Sequence, residues 1–132
     1  MIKFKLKIIT PQGVYQEVEI DQINLDTNAG QIGILAHQIP LASGVKVSQM
    51  NYIIDGKRTY FSIAGGFVYV NETETTLIAN AIESQDEIDL ERAQEAKRRA
   101  EERLKIQNDE IDMLRAQAAL QRAITRIHVK GL

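Results

Sequence analysis

The 132-residue chain has no cysteine and no tryptophan, and it holds two prolines and few aromatic residues. Without cysteine there are no disulfide staples and no cysteine-ligated metal, which fits a reducing compartment. A formal net charge of −2 gives the chain as a whole no attraction for nucleic acid or for an anionic membrane surface. No apolar run approaches the ~18 residues that cross a bilayer. The start, Met1-Ile2-Lys3-Phe4-Lys5, alternates where a signal peptide would be continuously apolar. The expectation is a chain neither inserted nor secreted by that route. Catalytic signatures are missing too: there is no Ser-His-Asp arrangement, Walker-type loop or dinucleotide fingerprint. The two histidines, His37 and His128, lie in separate segments with no cluster to complete a metal site. An enzyme with its own active site is disfavoured.

What is present is unevenly spread. All aromatic residues, from Phe4 to Tyr69, fall in the front of the chain, with both prolines and every glycine except Gly131. The remainder is rich in alanine and charge. This break, near Ser84–Gln85, divides the chain into residues 1–84 and 85–132.

The front reads as short strands. Ile2, Phe4, Leu6 and Ile8 alternate with Lys3, Lys5 and Lys7, which puts the apolar set on one face. Pro11-Gln12-Gly13 is a turn, and Tyr15, Val18, Ile20, Ile23 and Leu25 continue the strand character. Gly30-x-x-Gly33 opens no helix and reads as a structural turn. Asp55-Gly56, between Tyr52-Ile53-Ile54 and Thr59-Tyr60-Phe61, predicts a tight hairpin. After Gly65-Gly66 and Phe67-Val68-Tyr69-Val70, a last strand is expected over Thr75 to Ala81. Many short strands with frequent turns argue for a sandwich or barrel, and the fold class expected is an antiparallel β-sandwich.

From Asp86 the period changes to that of a helix, with Ala93, Ala96, Ala100 and Leu104 on one face. Acids crowd its start and bases its end, as the helix dipole favours. Gln107-Asn108-Asp109 breaks the pattern and offers an N-cap. A second helix follows, its expected apolar face formed by Ile111, Leu114, Ala118, Leu120, Ile124 and Ile127. The short connection makes the pair an antiparallel two-helix hairpin. Each helix spans about 19 residues, roughly 28 Å. The seam is mainly alanine, and each missing CH₂ forgoes about 0.8 kcal/mol of burial. Such helices are each stable yet dock weakly, so the hairpin can open without unfolding its members.

The second helix has no acidic residue after Asp112, while Arg115, Arg122, Arg126 and Lys130 follow. The three arginines are spaced by seven and four, near one helical face. A solvated basic face explains this pattern, and so does an anion receptor for a phosphate or an acidic partner. On the first helix, Arg92 reads as a surface residue and Asp89 as a first-turn acid serving the dipole. Nucleic-acid binding is the least favoured class, because Glu95, Glu101 and Glu102 interleave the bases.

Taken in order, several segments resemble one family. Thr10-Pro11-x-Gly13, Gly30-x-x-Gly33-Ile34-Leu35 with Pro40, Gly65-Gly66-Phe67, Ile88-Asp89-x-x-Arg92-Ala93 and Ala119-Leu120-x-Arg122-Ala123-x-x-Arg126 are similar to the epsilon subunits of bacterial F-type ATP synthases. The resemblance runs the length of the chain. It implies a non-catalytic rotor subunit in the central stalk, coupling proton flow through the c-ring to ATP synthesis. The implied partners are the gamma subunit, the c-ring and the alpha/beta catalytic head. The implied place is peripheral, on the cytoplasmic face of the bacterial plasma membrane, with membrane contact only through the c-ring. The hairpin, folded on the sandwich in one state, would in the other extend along gamma and block ATP hydrolysis.

The resemblance further implies a regulatory ATP site, with no cofactor required for function. The motif places Ile88, Asp89, Arg92 and Ala93 in it, and Glu83, Arg99, Arg122 and Arg126 match further contact positions. Arginines from both helices would pair with phosphates, while Asp89 and Glu83 would bond adenine or ribose. In the extended state Arg115, Arg122 and Arg126 would meet acidic residues of the catalytic head. The chain departs from the family's Gly-Ile-Leu-Pro-Gly-His-x-Pro at Ala36-His37-Gln38-Ile39-Pro40, in a sandwich loop expected to face the c-ring or gamma. The readings set against this one are a free-standing adaptor whose basic helix docks on an acidic protein, and a sandwich-fold enzyme or sugar-binding module.

Overall fold

A computed structural model describes residues 2–106 and 109–132. Among them are eight strands: β1 (Phe4–Thr10), β2 (Gly13–Ile20), β3 (Gln22–Thr27), β4 (Gly30–Ile34), β5 (Leu41–Ile54), β6 (Lys57–Val70), β7 (Glu74–Ala79) and β8 (Ile82–Ser84). Two helices follow, α1 (Leu90–Ile106) and α2 (Glu110–Lys130). The architecture is the β-sandwich with a two-helix appendage that the sequence leads one to expect.

The strands hydrogen-bond in the order β2-β1-β7-β6-β5-β3-β4, with β8 on β6. The alternation in β1 does what period two requires: Phe4, Leu6 and Ile8 are buried against Ile20, Ile23, Leu25, Phe61, Ile63 and Leu77. On the other face Lys5 pairs with Glu17 at 2.6 Å. Asp55 and Gly56 both have positive φ, 50° and 79°, as the two-residue turn between β5 and β6 demands.

The long hairpin of β5 and β6 runs through both layers and bends at Gly65–Gly66. There β6 changes partner, from β8 over Phe61–Ile63 to β7 over Gly66–Val70. The same bend corrects the expectation of one last strand over Thr75 to Ala81. The strand there ends at Ala79, two residues early, where the Asn80 N–H donates to the Gly65 carbonyl (2.9 Å) and the Ala64 N–H to the Ala81 carbonyl (2.9 Å). The chain turns the corner with β6 and resumes as β8. β1 pairs with β7 in parallel, the other main pairings being antiparallel.

Residues 86–88 form a turn and loop rather than helix, so α1 begins four residues later than the change of period suggests. Asp89 precedes it and accepts from the Arg92 N–H (3.2 Å). Gln107 and Asn108, where the sequence places the break between helices, lie outside the described residues. Asp109 is the N-cap of α2 and accepts from the Ile111 N–H (2.8 Å). Ala93 and Ala100 of α1 meet Ala116 and Ala123 of α2 in a buried seam. The apolar face expected on α2 is not the buried one. Ile111 and Leu114 are 61% and 59% exposed, while Ala116, Ala123, Thr125 and Val129 are buried. Alanine allows backbones to approach to a separation that larger side chains would prevent, so closeness selects the small residues. α2 lies across β5 and β6.

Candidate functional site

The two helices and the sheet enclose a cleft of about 380 Å³. Ser62, Ile63 and Ala64 of β6, with Ala81 and Ile82, form its floor. Ala96 of α1 and Ala119 and Ala123 of α2 line the walls, and their short side chains leave the space open. Arg99 and Arg103 sit one turn apart on α1, Arg122 and Arg126 one turn apart on α2. The i, i+4 spacing on each helix brings all four arginines to the lining of one cleft, Arg99, Arg103 and Arg122 being exposed and Arg126 half-buried.

One carboxylate joins them. Glu83, in β8, receives Nε of Arg126 at 2.6 Å, and both side chains are partly shielded, at 35% and 23% exposure. Among the described residues, Arg99, Arg103 and Arg122 have no carboxylate within 4.0 Å. Four cations facing one anion leave a local excess of three positive charges. Like charges gathered around one cleft favour an anion, and planar guanidinium forks suit a phosphate. Glu83 holds Arg126 in place while leaving donors of its fork free for a ligand.

A larger cleft, about 620 Å³, lies along the opposite flank of α2. It is lined largely by amides, among them Asn24, Gln31, Gln49, Asn51 and Gln121. Gln22 donates to Asn24 (2.9 Å) and Asn24 to Asn51 (2.8 Å), so part of this amide lining is already paired. Its single Arg58 is balanced by Asp26, and it offers no excess of charge.

Of the residues singled out in the sequence, Glu83, Arg99, Arg122 and Arg126 are brought together in the smaller cleft. Ile88 and Ala93 are buried, the latter in the helical seam. Asp89 caps α1, and Arg92 is exposed in the first turn; neither lines the cleft. Arg115 is exposed, 3.9 Å from Asp112, and also lies outside the cleft. His128 lines the amide cleft, and His37 sits in the β4–β5 loop with φ of 61°. Sequence reasoning missed Arg103 as a lining residue. Its position four residues after Arg99 is the signal that would have found it.

The segment joining sandwich to helices is itself tied down. The Glu87 carboxylate accepts from the Ser84 N–H (2.9 Å) and from the Tyr15 hydroxyl. The Tyr15 bond, foremost, and then that of Ser84 hold the Glu87 carboxyl below its ordinary value. Burial first, and then the Glu87 bond, pushes the Tyr15 hydroxyl well up.

Two family descriptions match in tandem. Residues 3–85 match the beta-sandwich domain of the ATP synthase delta/epsilon chain, and residues 86–131 match its long alpha-helix domain. The chain is 36% identical over 104 residues to the ATP synthase epsilon chain of Bacillus thuringiensis (strain Al Hakam), covering 79% of this chain and 78% of that one. Identity and coverage are the same for the ATP synthase epsilon chain of Bacillus cereus (strain B4264). The fold also matches a chain in the cryo-EM structure of Euglena gracilis mitochondrial ATP synthase, OSCP/F1/c-ring. The TM-score there is 0.81 at 21% identity, over 93% of this chain and 78% of that chain. A chain of the Tetrahymena thermophila mitochondrial ATP synthase central stalk/c-ring matches with TM-score 0.69 at 13% identity, over 98% and 97% of the two chains. No helix among the described residues is long and apolar enough to cross a membrane.

Proposed function

The chain belongs to the delta/epsilon family as an epsilon subunit of F-type ATP synthase, and from that premise we propose that it is a non-catalytic rotor subunit whose helical hairpin is a nucleotide-sensing brake on ATP hydrolysis. The sandwich binds gamma and rests on the c-ring, at the cytoplasmic face of the bacterial plasma membrane, and takes part in coupling proton flow to ATP synthesis. The exposed apolar side chains Leu35, Ile39 and Leu41 around the altered Ala36-His37-Gln38 loop suit such a contact, Ile39 being 87% exposed. The hairpin folds onto the sandwich in one state and reaches toward the alpha/beta head in the other.

The observation that carries the sensing reading is the cleft built from three parts: α1, α2 and the sandwich floor. An anion held by Arg99 and Arg103 on one side and by Arg122 and Arg126 on the other bridges pieces that separate when the hairpin extends. Such a ligand binds the folded form alone and shifts the population by that differential affinity. ATP supplies the polyanion. Asp89 and Arg92, at the start of α1, reach its remaining groups only when the ligand extends past the cleft toward the hinge.

A switch also needs a small energy gap. Alanines form the seam between the helices, and Ser62, Ala64 and Thr125 flank the contact with the sheet.

Titration of the purified chain with ATP tests the proposal. Melting temperature is expected to rise with ATP concentration, and Arg122→Ala, which removes a charge-assisted bond of about 1.5–3 kcal/mol, to weaken binding at least about tenfold. No response at millimolar ATP removes the sensing function and leaves the family membership untouched.

A further inference from the structure

The hinge does more than join the two parts. Gln85 is the first residue beyond β8, and its backbone N–H donates to the Tyr60 carbonyl of β6 at 2.9 Å. Its side-chain amide turns the other way, donating to the carbonyls of Val129 (3.0 Å) and Leu132 (2.6 Å) at the end of α2. Lys130 returns the contact through its ammonium, which donates to the Gln85 carbonyl at 3.0 Å. One residue is therefore bonded to the sheet by its N–H and to the last turn of α2 by its amide and its carbonyl.

One acceptor, the Val129 carbonyl, belongs to the last turn of α2 and also accepts from the Leu132 N–H (3.1 Å), while Leu132 itself lies just beyond the helix. The final carbonyls of α2 lie beyond the reach of ordinary intrahelical donors and carry the negative end of its dipole. The Gln85 amide and the Lys130 ammonium both act at that end. Val129 beside them is fully buried and Gln85 and Lys130 are half-buried, while the bond to Leu132 is exposed.

We propose that Gln85 and Lys130 form a nucleotide-independent latch that makes hairpin opening all-or-none. Any rotation of the hinge that carries α1 off α2 also turns Gln85 away, so α2 loses its grip at the moment its partner helix leaves. Without the latch, α2 peels while the hinge stays in place, and partly opened forms accumulate. The proposal rests on the hairpin being detachable, as argued above, but assigns the latch to residues outside the arginine cleft.

The chain's lack of cysteine allows a clean measurement on the full protein. Spin labels on Lys57→Cys, at the start of β6, and Gln117→Cys, exposed on α2, report the distance between sandwich and hairpin. In Gln85→Ala the ratio of undocked to docked molecules without nucleotide is expected to rise about tenfold, the factor for one to two neutral hydrogen bonds, with intermediate distances populated that wild type lacks. Lys130→Met, which keeps the stem and loses the donors, is expected to act in the same direction, and Gln94→Ala, on the exposed face of α1, to leave the ratio unchanged. Both latch variants are expected to retain an ATP response. If the two variants match wild type while removal of ATP lengthens the wild-type distance, the latch is refuted and the switch stands. If the distance stays short in every variant with and without ATP, the detachable hairpin falls, and the latch with it.

Discussion

The bend of β6 can be tested by adding a single methyl group at Gly66. A Cβ there would stand 2.0 Å from the Ile78 carbonyl oxygen and 3.0 Å from the Ala79 Cα, both backbone atoms of a paired strand. The residue's φ of +156° is also one that side chains disfavour. Gly56 is the matched control. Its φ of +79° is equally unsuited to alanine, yet nothing lies within 4 Å of an added Cβ. Gly56→Ala therefore measures backbone strain alone, about 1 kcal/mol. Gly66→Ala adds overpacking against atoms that cannot rotate away, about 1–3 kcal/mol, for a sum of about 2–4 and, with the 2.0 Å approach, near its upper end. For a sandwich of roughly 80 residues each kcal/mol lowers the melting temperature by about 4–8 °C. The expectation is about 5 °C for Gly56→Ala and about 20 °C for Gly66→Ala. Urea or thermal unfolding followed by tyrosine fluorescence is the assay. All four tyrosines, Tyr15, Tyr52, Tyr60 and Tyr69, lie in the sandwich and none in the helices, so the signal reports that part directly. Equal losses in the two variants would refute the reasoning, because the close approach of β6 and β7 would then carry no weight.

Three further outcomes follow from the same contacts. Asp21 is buried and binds the Asp55 N–H (2.7 Å) and the Lys3 ammonium (3.1 Å), so Asp21→Ala should melt several degrees earlier, by the same tyrosine signal. Glu87 has its folded value depressed from 4.5, mainly by the Tyr15 bond, so its stabilisation is full above that pH and is lost as pH falls below it. Hinge protection in amide exchange should therefore drop as pH falls below about 4.5, and Tyr15→Phe should lower it already at neutral pH and flatten that dependence. Tyr15→Phe should cost about 1 kcal/mol in hinge protection, with the sandwich remaining folded.

Much of the architecture was readable in advance, for identifiable reasons. The alternation of β1, the Asp55-Gly56 turn and the Asp109 cap are local signals, settled by neighbours in sequence. The split between β7 and β8 was not readable, because it depends on Asn80 and Ala81 bonding to Gly65 and Ala64 some sixteen residues away. The buried face of α2 was misread because Ile111, Leu114 and Ile124 dominate any hydrophobic pattern. In the structure the closeness of two backbones, invisible in one helix's sequence, selects Ala116 and Ala123 instead. The arginines of the cleft lie on two helices that only the tertiary hairpin brings face to face. The spacing of Arg122 and Arg126 was visible as a basic stripe, but their convergence with Arg99, Arg103 and Glu83 needed the fold.

The parallel pairing of β1 with β7 has a mechanical consequence. Lys5 to Ile9 lie in register with Glu74 to Ile78, so the first strand of the sandwich runs in the same direction as one of its last. A pull along the chain between the beginning of the sandwich and the hinge slides these strands past each other and strains five neighbouring residue pairs together. An antiparallel hairpin loaded at its open end would instead unzip one rung at a time. A head wired in this way resists a pull delivered through its ends as a single unit.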